Sequence, residues 1–214
     1  MNEDKRPQAF ESLKIPSFPI FIATFVLTMM ADNVEHVISY WVAFEKFNSP
    51  MLGGFAVIAH WLPYLLFSVG VGALNDRFDS RRLIQIGGAL FALVSLGWGY
   101  FFITDTLTIP FAMALLVLHG LAGVFWMTSS QVLLYDIVGV EKLASAVRLN
   151  ATARYFGMLA GPAVGSLIMS TIGPTQGIIL NAALYLPLLI WLINAPQPHR
   201  AKRLVDSATR RVRG

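Results

Sequence analysis

The segment from Tyr155 to Pro198 contains no Asp, Glu, Lys or Arg, and its apolar character is interrupted only near Gly173 and Pro174. A soluble domain of this size does not require such a run. A bilayer does, because its hydrocarbon core is about 30 Å thick and one helical crossing takes roughly 20 apolar residues. Two crossings fit into this segment, with the Gly-Pro pair as the turn between them. The sequence therefore predicts a membrane protein.

The composition supports the same class of protein. Apolar residues make up 56% of the 214 residues and charged residues 13%, compared with roughly 25% charged residues in soluble domains. The absence of cysteine excludes disulfides, thiol catalysis and cysteine-based metal sites. The first apolar segment lacks a following small-residue cleavage site, so we expect it to be retained rather than removed as a signal peptide.

The charge-poor segments define six predicted crossings. Proline and glycine inside them are compatible with helix, because neighbouring helices can satisfy the freed backbone groups. We predict an all-α membrane protein, a bundle of six transmembrane helices between tails at residues 1–17 and 196–214, with helices at residues 18–44, 51–74, 83–104, 107–135, 147–172 and 175–195.

Basic residues predict the orientation, because short cytoplasmic loops carry an excess of Lys and Arg. Fifteen of the sixteen Lys and Arg residues fall in the two tails and in the loops after predicted helices two and four, a count that includes Arg154 just inside helix five. Lys46 alone falls in the alternate loops. Both termini are therefore predicted to be cytoplasmic, and the net charge of +4 reflects topology rather than nucleic-acid binding.

A polar stripe along predicted helix one supplies the candidates for contact with a substrate or a proton: Thr28, Asp32, Glu35 and His36. A charge at mid-bilayer costs roughly 2.5–3.5 kcal/mol on insertion scales, so it normally faces a cavity or a partner. In an alternative interpretation the crossing ends near Ala31 and the charged residues lie in the outer headgroup region. That alternative leaves an apolar overhang without a role, and we favour the stripe facing a cavity.

Histidine could indicate a metal site, because Asp32 and His36 lie four residues apart on one helix face. No second His/acid pair of comparable spacing occurs in the sequence, and a tight site needs three or four ligands. His60 and His119 each stand alone on apolar helices, where a hydrogen-bonded packing role is expected. We therefore predict no metal and no cofactor.

The loop between predicted helices two and three places acidic and basic residues in a tight turn. Asp76 could accept hydrogen bonds at a helix N-terminus and interact with its dipole. Arg77 and Arg81 could form forked bonds to acidic groups on adjacent helices, and such a cluster could close in one state and open in another. Alternatively, the arginines mark only the cytoplasmic side.

Four segments resemble the major facilitator superfamily of transporters. Residues Gly72 to Leu83 are similar to its signature loop between helices two and three, and Asn48 to Gly54 resembles the start of helix two in the drug and siderophore exporter branch. Tyr135 to Ala146 is similar to the loop between helices four and five, and Gly157 to Gly165 resembles the helix-five motif of exporters. The similarity covers nearly the whole chain, in the family's order and spacing.

The resemblance implies roles for these motifs. Gly72, Asp76, Arg77 and Arg81 would form an inner conformational switch, with Asp136 at the end of helix four as a partner. His119 lies near the position where some proton-coupled members carry a helix-four Arg. Complete members have twelve helices, so the chain resembles the N-terminal half and would pair with a second six-helix half.

The helix-five motif also has a direct physical interpretation. Gly157, Gly161 and Gly165 fall four residues apart on one face and form a groove that admits a closely approaching helix, and Pro162 can kink the backbone. The resemblance implies a bend near the outer gate that limits leakage. Tight packing without a gating role is the alternative.

These observations predict a secondary transporter, or its N-terminal half, that moves a small molecule by alternating access across a plasma membrane, with a bacterial inner membrane favoured. Proton-driven export is expected, because no ATP-binding P-loop motif occurs. The alternatives are a six-helix membrane scaffold or lipid-binding protein without transport, and an intramembrane enzyme built on the acidic residues of helix one. The expected partners are a small-molecule substrate and the lipid bilayer.

Overall fold

The computed structural model describes residues 10–195, and this part of the chain is helical without any β-strand. The tails predicted to carry much of the positive charge lie largely outside the described residues. A short 3-10 helix at Glu11–Lys14 precedes α1 Ser17–Phe47, α2 Pro50–Arg77, α3 Ser80–Thr104, α4 Ile109–Ile172, α5 Pro174–Leu184 and α6 Leu186–Asn194. The prediction of an all-α fold is confirmed.

Helix α1 packs mainly against α4. It runs without a break for 31 residues and ends where Asn48 adopts a left-handed conformation. Its N-terminal half buries Phe18, Phe21 and Phe25, and the Phe25 ring stacks on Trp126 of α4 with centroids 4.9 Å apart. Aromatic packing of this kind fixes α1 between α4 and the C-terminal helices.

Helix α4 is interrupted at Gly139, whose backbone angles of φ 69° and ψ 177° are not helical. Before this point α4 runs antiparallel to α1, since His119 contacts Glu35 and Trp126 contacts Phe25. After it, α4 runs parallel to α1, as the next contacts show.

Gly157 lies against Met29 and Gly165 lies against Val34. The two arms of α4 are therefore antiparallel neighbours, and the chain reverses at Gly139. A residue without a Cβ is favoured at this positive φ.

The remaining helices pack around α1 and α4 and alternate in direction. Gly120 and Ser129 of α4 contact Ala59 and Asn75 of α2, so α2 is parallel to the first arm of α4 and antiparallel to α1. Helix α3 is antiparallel to the C-terminal helices: its Gly88 contacts Leu189 of α6, and its Gly99, further along, contacts Ile179 of α5.

The structure divides the chain into helices differently from the prediction. Within residues 10–195, five helical segments are long and apolar enough to cross a membrane, because predicted helices four and five form the single α4. Each arm of α4 exceeds the roughly 20 residues of one crossing. The predicted sixth helix is divided at Tyr185 into α5 and α6, although the two together still meet the criteria for one span.

Glycines allow α4 to approach its neighbours closely. A Cβ at Gly161 would lie 2.4 Å from the Cβ of Asn33, and a Cβ at Gly120 would lie 2.1 Å from the carbonyl oxygen of Ala59. The predicted groove formed by Gly157, Gly161 and Gly165 thus contains α1, while Pro162 is exposed on the other side. Close approach at Gly120 also brings His60, the residue after Ala59, toward His119.

Candidate functional site

A cavity of about 460 Å³ lies between α1, α2 and both arms of α4. Its polar lining includes Asp32, His36 and His60, and its aromatic lining includes Trp61 and Trp126. A mostly apolar cavity with a few convergent polar groups is typical of small-molecule sites, and its size falls in the usual range of roughly 300–1,000 Å³.

Behind the cavity wall, His119 of α4 bridges two acidic residues of α1. Its Nδ1 lies 2.7 Å from Oε1 of Glu35, and its Nε2 lies 2.8 Å from Oδ1 of Asp32. All three side chains are buried, with exposed fractions of 3% for His119, 1% for Glu35 and 5% for Asp32. We call these three residues the carboxylate–histidine triad.

The triad continues into a longer hydrogen-bond chain. The hydroxyl of Ser95 on α3 donates to Oε2 of Glu35, and the side-chain amide of Asn181 on α5 donates to Ser95 Oγ at 3.2 Å. Ser95 and Asn181 are fully buried. Polar groups from α1, α3, α4 and α5 therefore form one network inside the apolar bundle, where an unpaired member would carry a large desolvation cost.

The geometry of the triad constrains its protons. Each nitrogen-to-oxygen contact of His119 requires one hydrogen, so the two contacts together hold two protons. With both protons on the ring, or with one on a carboxyl group, the triad has a net charge of −1. Removing either proton would break a buried hydrogen bond, and adding a third would neutralise the triad.

Two further histidines lie beside Asp32. Nδ1 of His36 is 3.9 Å from Oδ2 of Asp32, and the His36 ring is 4.8 Å from the His60 ring and 4.7 Å from the His119 ring, measured between centroids. The expected hydrogen bonding is present for His119, but Nδ1 of His60 has no partner in the described chain. The two residues are far apart in sequence, but the contact between α2 and α4 places them in one cluster.

The polar stripe of α1 faces two directions. Asp32 and His36 line the cavity, whereas Glu35 faces α3 and is connected to the cavity through His119 and Asp32. Thr28 is completely buried, its hydroxyl makes no hydrogen bond within the described residues, and it does not line the cavity. Helix α1 continues unbroken to Phe47, which agrees with the interpretation that the acidic residues lie inside the bundle.

Arg154 is a cavity residue that the sequence reasoning assigned elsewhere. It was counted with the positive charge of the loop after predicted helix four, but the second arm of α4 places it on the cavity lining, with its Nε buried and without a hydrogen-bond partner in the described part of the chain. Without Arg154, the loops and tails on the predicted cytoplasmic side hold one basic residue fewer than the fifteen counted from the sequence. The available signal was the position of Arg154 about two turns inside predicted helix five.

The loop between α2 and α3 is organised around Asp79. Its carboxylate accepts a hydrogen bond from the backbone N–H of Arg81 at 2.9 Å, which makes Asp79 rather than Asp76 the cap of α3. The Arg81 side chain binds the same carboxylate and donates to the carbonyl of Ala195 at 2.6 Å. Partial burial raises the pKa of Asp79, but these bonds to Arg81 outweigh it and leave the pKa below its usual range.

Other residues of the predicted inner switch occupy different environments. Asp76 and Arg77 are exposed, Gly72 is half-buried, and Asp136 is buried on α4. The bonds that Arg81 makes in the described chain join its own loop to the end of α6. A switching role for this set stays a prediction.

Comparison with known proteins agrees with this architecture. Residues 20–212 match the family model of the Major Facilitator Superfamily. The chain is 27% identical over 201 residues to the multidrug efflux pump Tap of Mycobacterium tuberculosis, a match that covers 88% of the chain and 47% of Tap. It is 24% identical over 177 residues to a multi-drug resistance efflux pump PmrA homolog of Lactococcus lactis, covering 81% of the chain and 42% of that protein.

A further relative is the probable anion transporter 3, chloroplastic, of Arabidopsis thaliana. It is 31% identical over 129 residues, which cover 60% of the chain and 24% of that protein. The chain spans about half the length, or less, of these curated relatives. No solved structure matches the chain.

The family match covers most of the chain, and it confirms the expectation of a transporter-type membrane protein rather than an enzyme. Helices that could span a bilayer, the buried polar network and the cavity beside it are all consistent with that class. The chain belongs to the major facilitator superfamily.

Proposed function

We propose that this chain forms one six-helix half of a secondary transporter that exports a small amphipathic molecule in exchange for protons by alternating access. The observation that carries the proposal is the buried carboxylate–histidine triad beside a cavity of drug-binding size. Efflux pumps among the relatives support export as the direction.

The cavity lining indicates the class of cargo. Trp61, Tyr64 and Trp126 offer aromatic faces, and Met29 and Met158 offer flexible apolar contacts. Methionine-rich and aromatic surfaces adapt to ligands of different shape. Asp32 and Arg154 provide opposite charges in the same cavity, so we expect a flat, apolar molecule with one or two polar groups rather than a sugar or another strongly hydrated solute.

Coupling to protons follows from the position of Asp32. The residue both lines the cavity and bonds to His119, so a molecule that binds Asp32 competes with the proton-bearing contact. The network through Glu35 and Ser95 reaches α3, and through Asn181 it reaches α5. A change of protonation at Asp32 would therefore alter contacts among four helices, as alternating access requires.

A second six-helix half is part of the proposal. The chain covers 47% of the length of its efflux-pump relative Tap, and the cavity is lined on one side by Trp61, whose side chain is 56% exposed. In this arrangement the two halves would enclose the cavity near the middle of the membrane, as in transporters built from repeats.

We propose six crossings with both ends in the cytoplasm of a bacterial cell. The alternating directions of α1, α2, α3, the two arms of α4 and the α5–α6 pair support this number. The excess of basic residues at the ends of these segments supports the orientation.

Transport by the intact protein, including its second half, tests the proposal. Inverted membrane vesicles with an imposed pH gradient would be supplied with a lipophilic fluorescent dye, and dye uptake and the collapse of the gradient would be recorded together. We expect uptake that requires the gradient, and its loss in Asp32→Asn at unchanged membrane insertion. A matched Asn48→Asp variant, altered at the end of α1 away from the cavity, should retain uptake.

Gradient-independent uptake would contradict proton coupling. An Asp32→Asn variant that transports as the unaltered protein does would contradict the role of the triad. Absence of any uptake by the unaltered protein, with a panel of apolar dyes, would favour the scaffold alternative.

A further inference from the structure

Four potential metal ligands converge beside the cavity. Asp32 and His36 come from α1, His60 from α2 and His119 from α4, and each offers one ligand atom within 4.8 Å of the others. The side chains come from three helices that are held together by close backbone packing at Gly120. We call these four residues the histidine cluster.

The hydrogen bonding of the cluster is incomplete. Nε2 of His36 and Nδ1 of His60 are buried atoms without a hydrogen-bond partner in the described part of the chain. A buried polar atom left without a partner is costly, and native structures usually satisfy it with a protein group, a water molecule or an ion. Three imidazoles and one carboxylate therefore share a small volume in which only His119 has both ring nitrogens engaged.

The chemistry of this donor set favours one class of ligand. Imidazole nitrogen and carboxylate oxygen are the donors of zinc sites without cysteine, and three histidines with one acidic residue complete a tetrahedral set. Imidazole also suits copper, nickel and cobalt, whereas calcium and magnesium prefer oxygen donors alone. A tetrahedral zinc ion would require neighbouring ligand atoms roughly 3.3 Å apart. On binding, side-chain rotation would therefore shorten the longest distances in the cluster and open the 2.8 Å contact between His119 Nε2 and Asp32 Oδ1.

Glu35 provides the outer support that such sites use. It binds Nδ1 of His119 at 2.7 Å and is itself held by Ser95, so the ring is fixed with Nε2 directed toward Asp32. Metal-bound histidines generally donate their second ring N–H to a carboxylate, which fixes the tautomer and raises ligand basicity. A metal ion placed between Nε2 and Asp32 would replace the proton that now joins them, so its binding would release that proton.

We propose that His36, His60, His119 and Asp32 bind one divalent transition-metal ion of the zinc class. The prediction of no metal site rested on the absence of a second sequence pair, and it did not consider ligands from different helices. Binding of the metal ion requires only that the helices are packed and that the ion can enter through the cavity. It therefore stands or fails separately from dye transport and from the presence of a second half.

Cobalt is a suitable probe because a tetrahedral Co²⁺ site has an intense visible absorption. The chain would be purified in detergent without a histidine tag, stripped with a chelator and titrated with Co²⁺ and then with Zn²⁺. We expect saturation at one Co²⁺ per chain and displacement of the visible band by one equivalent of Zn²⁺.

Three variants locate the site. His60→Gln should abolish the band without disturbing the fold, because no hydrogen bond to His60 is present in the described chain. Glu35→Gln should weaken binding by about 10–100-fold, as expected for a residue that supports a ligand. His199→Gln is the matched control, because His199 is the remaining histidine of the chain and should leave the titration unchanged.

Size-exclusion profiles and thermal unfolding of the variants check that each remains folded. Absence of saturable Co²⁺ and Zn²⁺ binding by the folded chain would overturn the proposal. Binding that survives His60→Gln, or that is lost with His199→Gln, would also overturn it. A negative result here would leave the transport proposal intact, since that proposal rests on Asp32, Glu35 and His119 through their protons.

Discussion

The loop between α2 and α3 and the network around His119 are both rich in ionisable groups, but they are built differently. In the loop, Asp79 and Arg81 are two residues apart, and their contacts form within one turn. In the network, Glu35 and His119 are 84 residues apart, and their contact depends on the packing of α1 against α4. The loop thus carries the recognisable family motif, while the chemistry of the interior arises only when the helices assemble.

Burial also separates the two regions. The triad is almost completely excluded from water, whereas Asp76 and Arg77 are exposed. Electrostatic interactions are strong in a low-dielectric interior and weak at a screened surface. We therefore expect substitutions in the network to have large effects on stability and function, and substitutions in the exposed loops to have small ones.

The largest loss is expected from Glu35→Ala, which leaves the ring of His119 and the hydroxyl of Ser95 without their acceptor. Removal of one member of a buried charged pair typically costs roughly 3–5 kcal/mol in the free energy of unfolding. Thermal unfolding in detergent should show a clear decrease in Tm, and Glu35→Gln, which keeps one acceptor, should recover part of it. An unchanged Tm in Glu35→Ala would show that the network is not a stabilising element.

The next effect concerns the contact that brings the histidines together. Gly120→Ala places a methyl group against the carbonyl of Ala59, and overpacking of this kind costs roughly 1–3 kcal/mol. Gly70→Ala on α2 is the matched control, because no atom lies within 4 Å of its Cβ position. Tm should decrease in the first variant only, and equal values in both would contradict the close packing of α2 on α4.

A smaller effect is expected at the cap of α3. Asp79→Ala removes the cap and the contact with Arg81, and loss of an N-cap typically costs about 1 kcal/mol. Because the pKa of Asp79 is lowered in the folded chain, this stabilisation is present at neutral pH and is lost as the pH falls through the lowered value. The Tm difference between Asp79→Ala and the unaltered chain should therefore shrink in acid, and a difference that grows would contradict the assignment.

The smallest effect is expected for the ion pair between Lys46 and Asp105, at the C-terminal ends of α1 and α3. Asp105 has a side chain that is 90% exposed, and exposed ion pairs contribute little to stability. Asp105→Asn should leave Tm unchanged within error at low and at physiological ionic strength. A measurable decrease that disappears in salt would show that surface pairs contribute more in this bundle than we infer.

Much of the fold was predictable because a helix that crosses a bilayer requires a long apolar run without charged residues. Charge-poor runs located α1, α2 and α3 to within a few residues at most ends, although Ser17 and Ser80 begin their helices slightly earlier than predicted. The reversal in α4 was placed near the correct residues, but as a loop after Tyr135. The actual turn requires only the positive φ of Gly139, so helix continues on both sides of it.

The site was predictable only in part. The stripe on α1 identified Asp32, Glu35 and His36, because charges inside an apolar helix are conspicuous. The partners of these residues could not be identified, because His60 and His119 have no local pattern and meet α1 only through packing at Gly120. Arg154 was counted only as a topology charge for a related reason, since the sequence does not record which face of a helix borders a cavity.

The central claim is that the cavity beside the triad opens to water and binds the transported molecule. Labelling of cysteines placed in the cavity tests this claim most directly, because the chain itself contains no cysteine. Asn33→Cys would place a thiol on the cavity lining beside Asp32, and Leu93→Cys would place one on the exposed apolar face of α3, away from the cavity. Intact membranes would be treated with a charged, membrane-impermeant maleimide in the presence and absence of a transported dye.

The account predicts that Asn33→Cys is labelled and is protected by the dye, while Leu93→Cys, on the outer face of α3, is not labelled. Failure to label Asn33→Cys from either side of the membrane, or equal labelling of both positions, would contradict a water-filled cavity beside the triad.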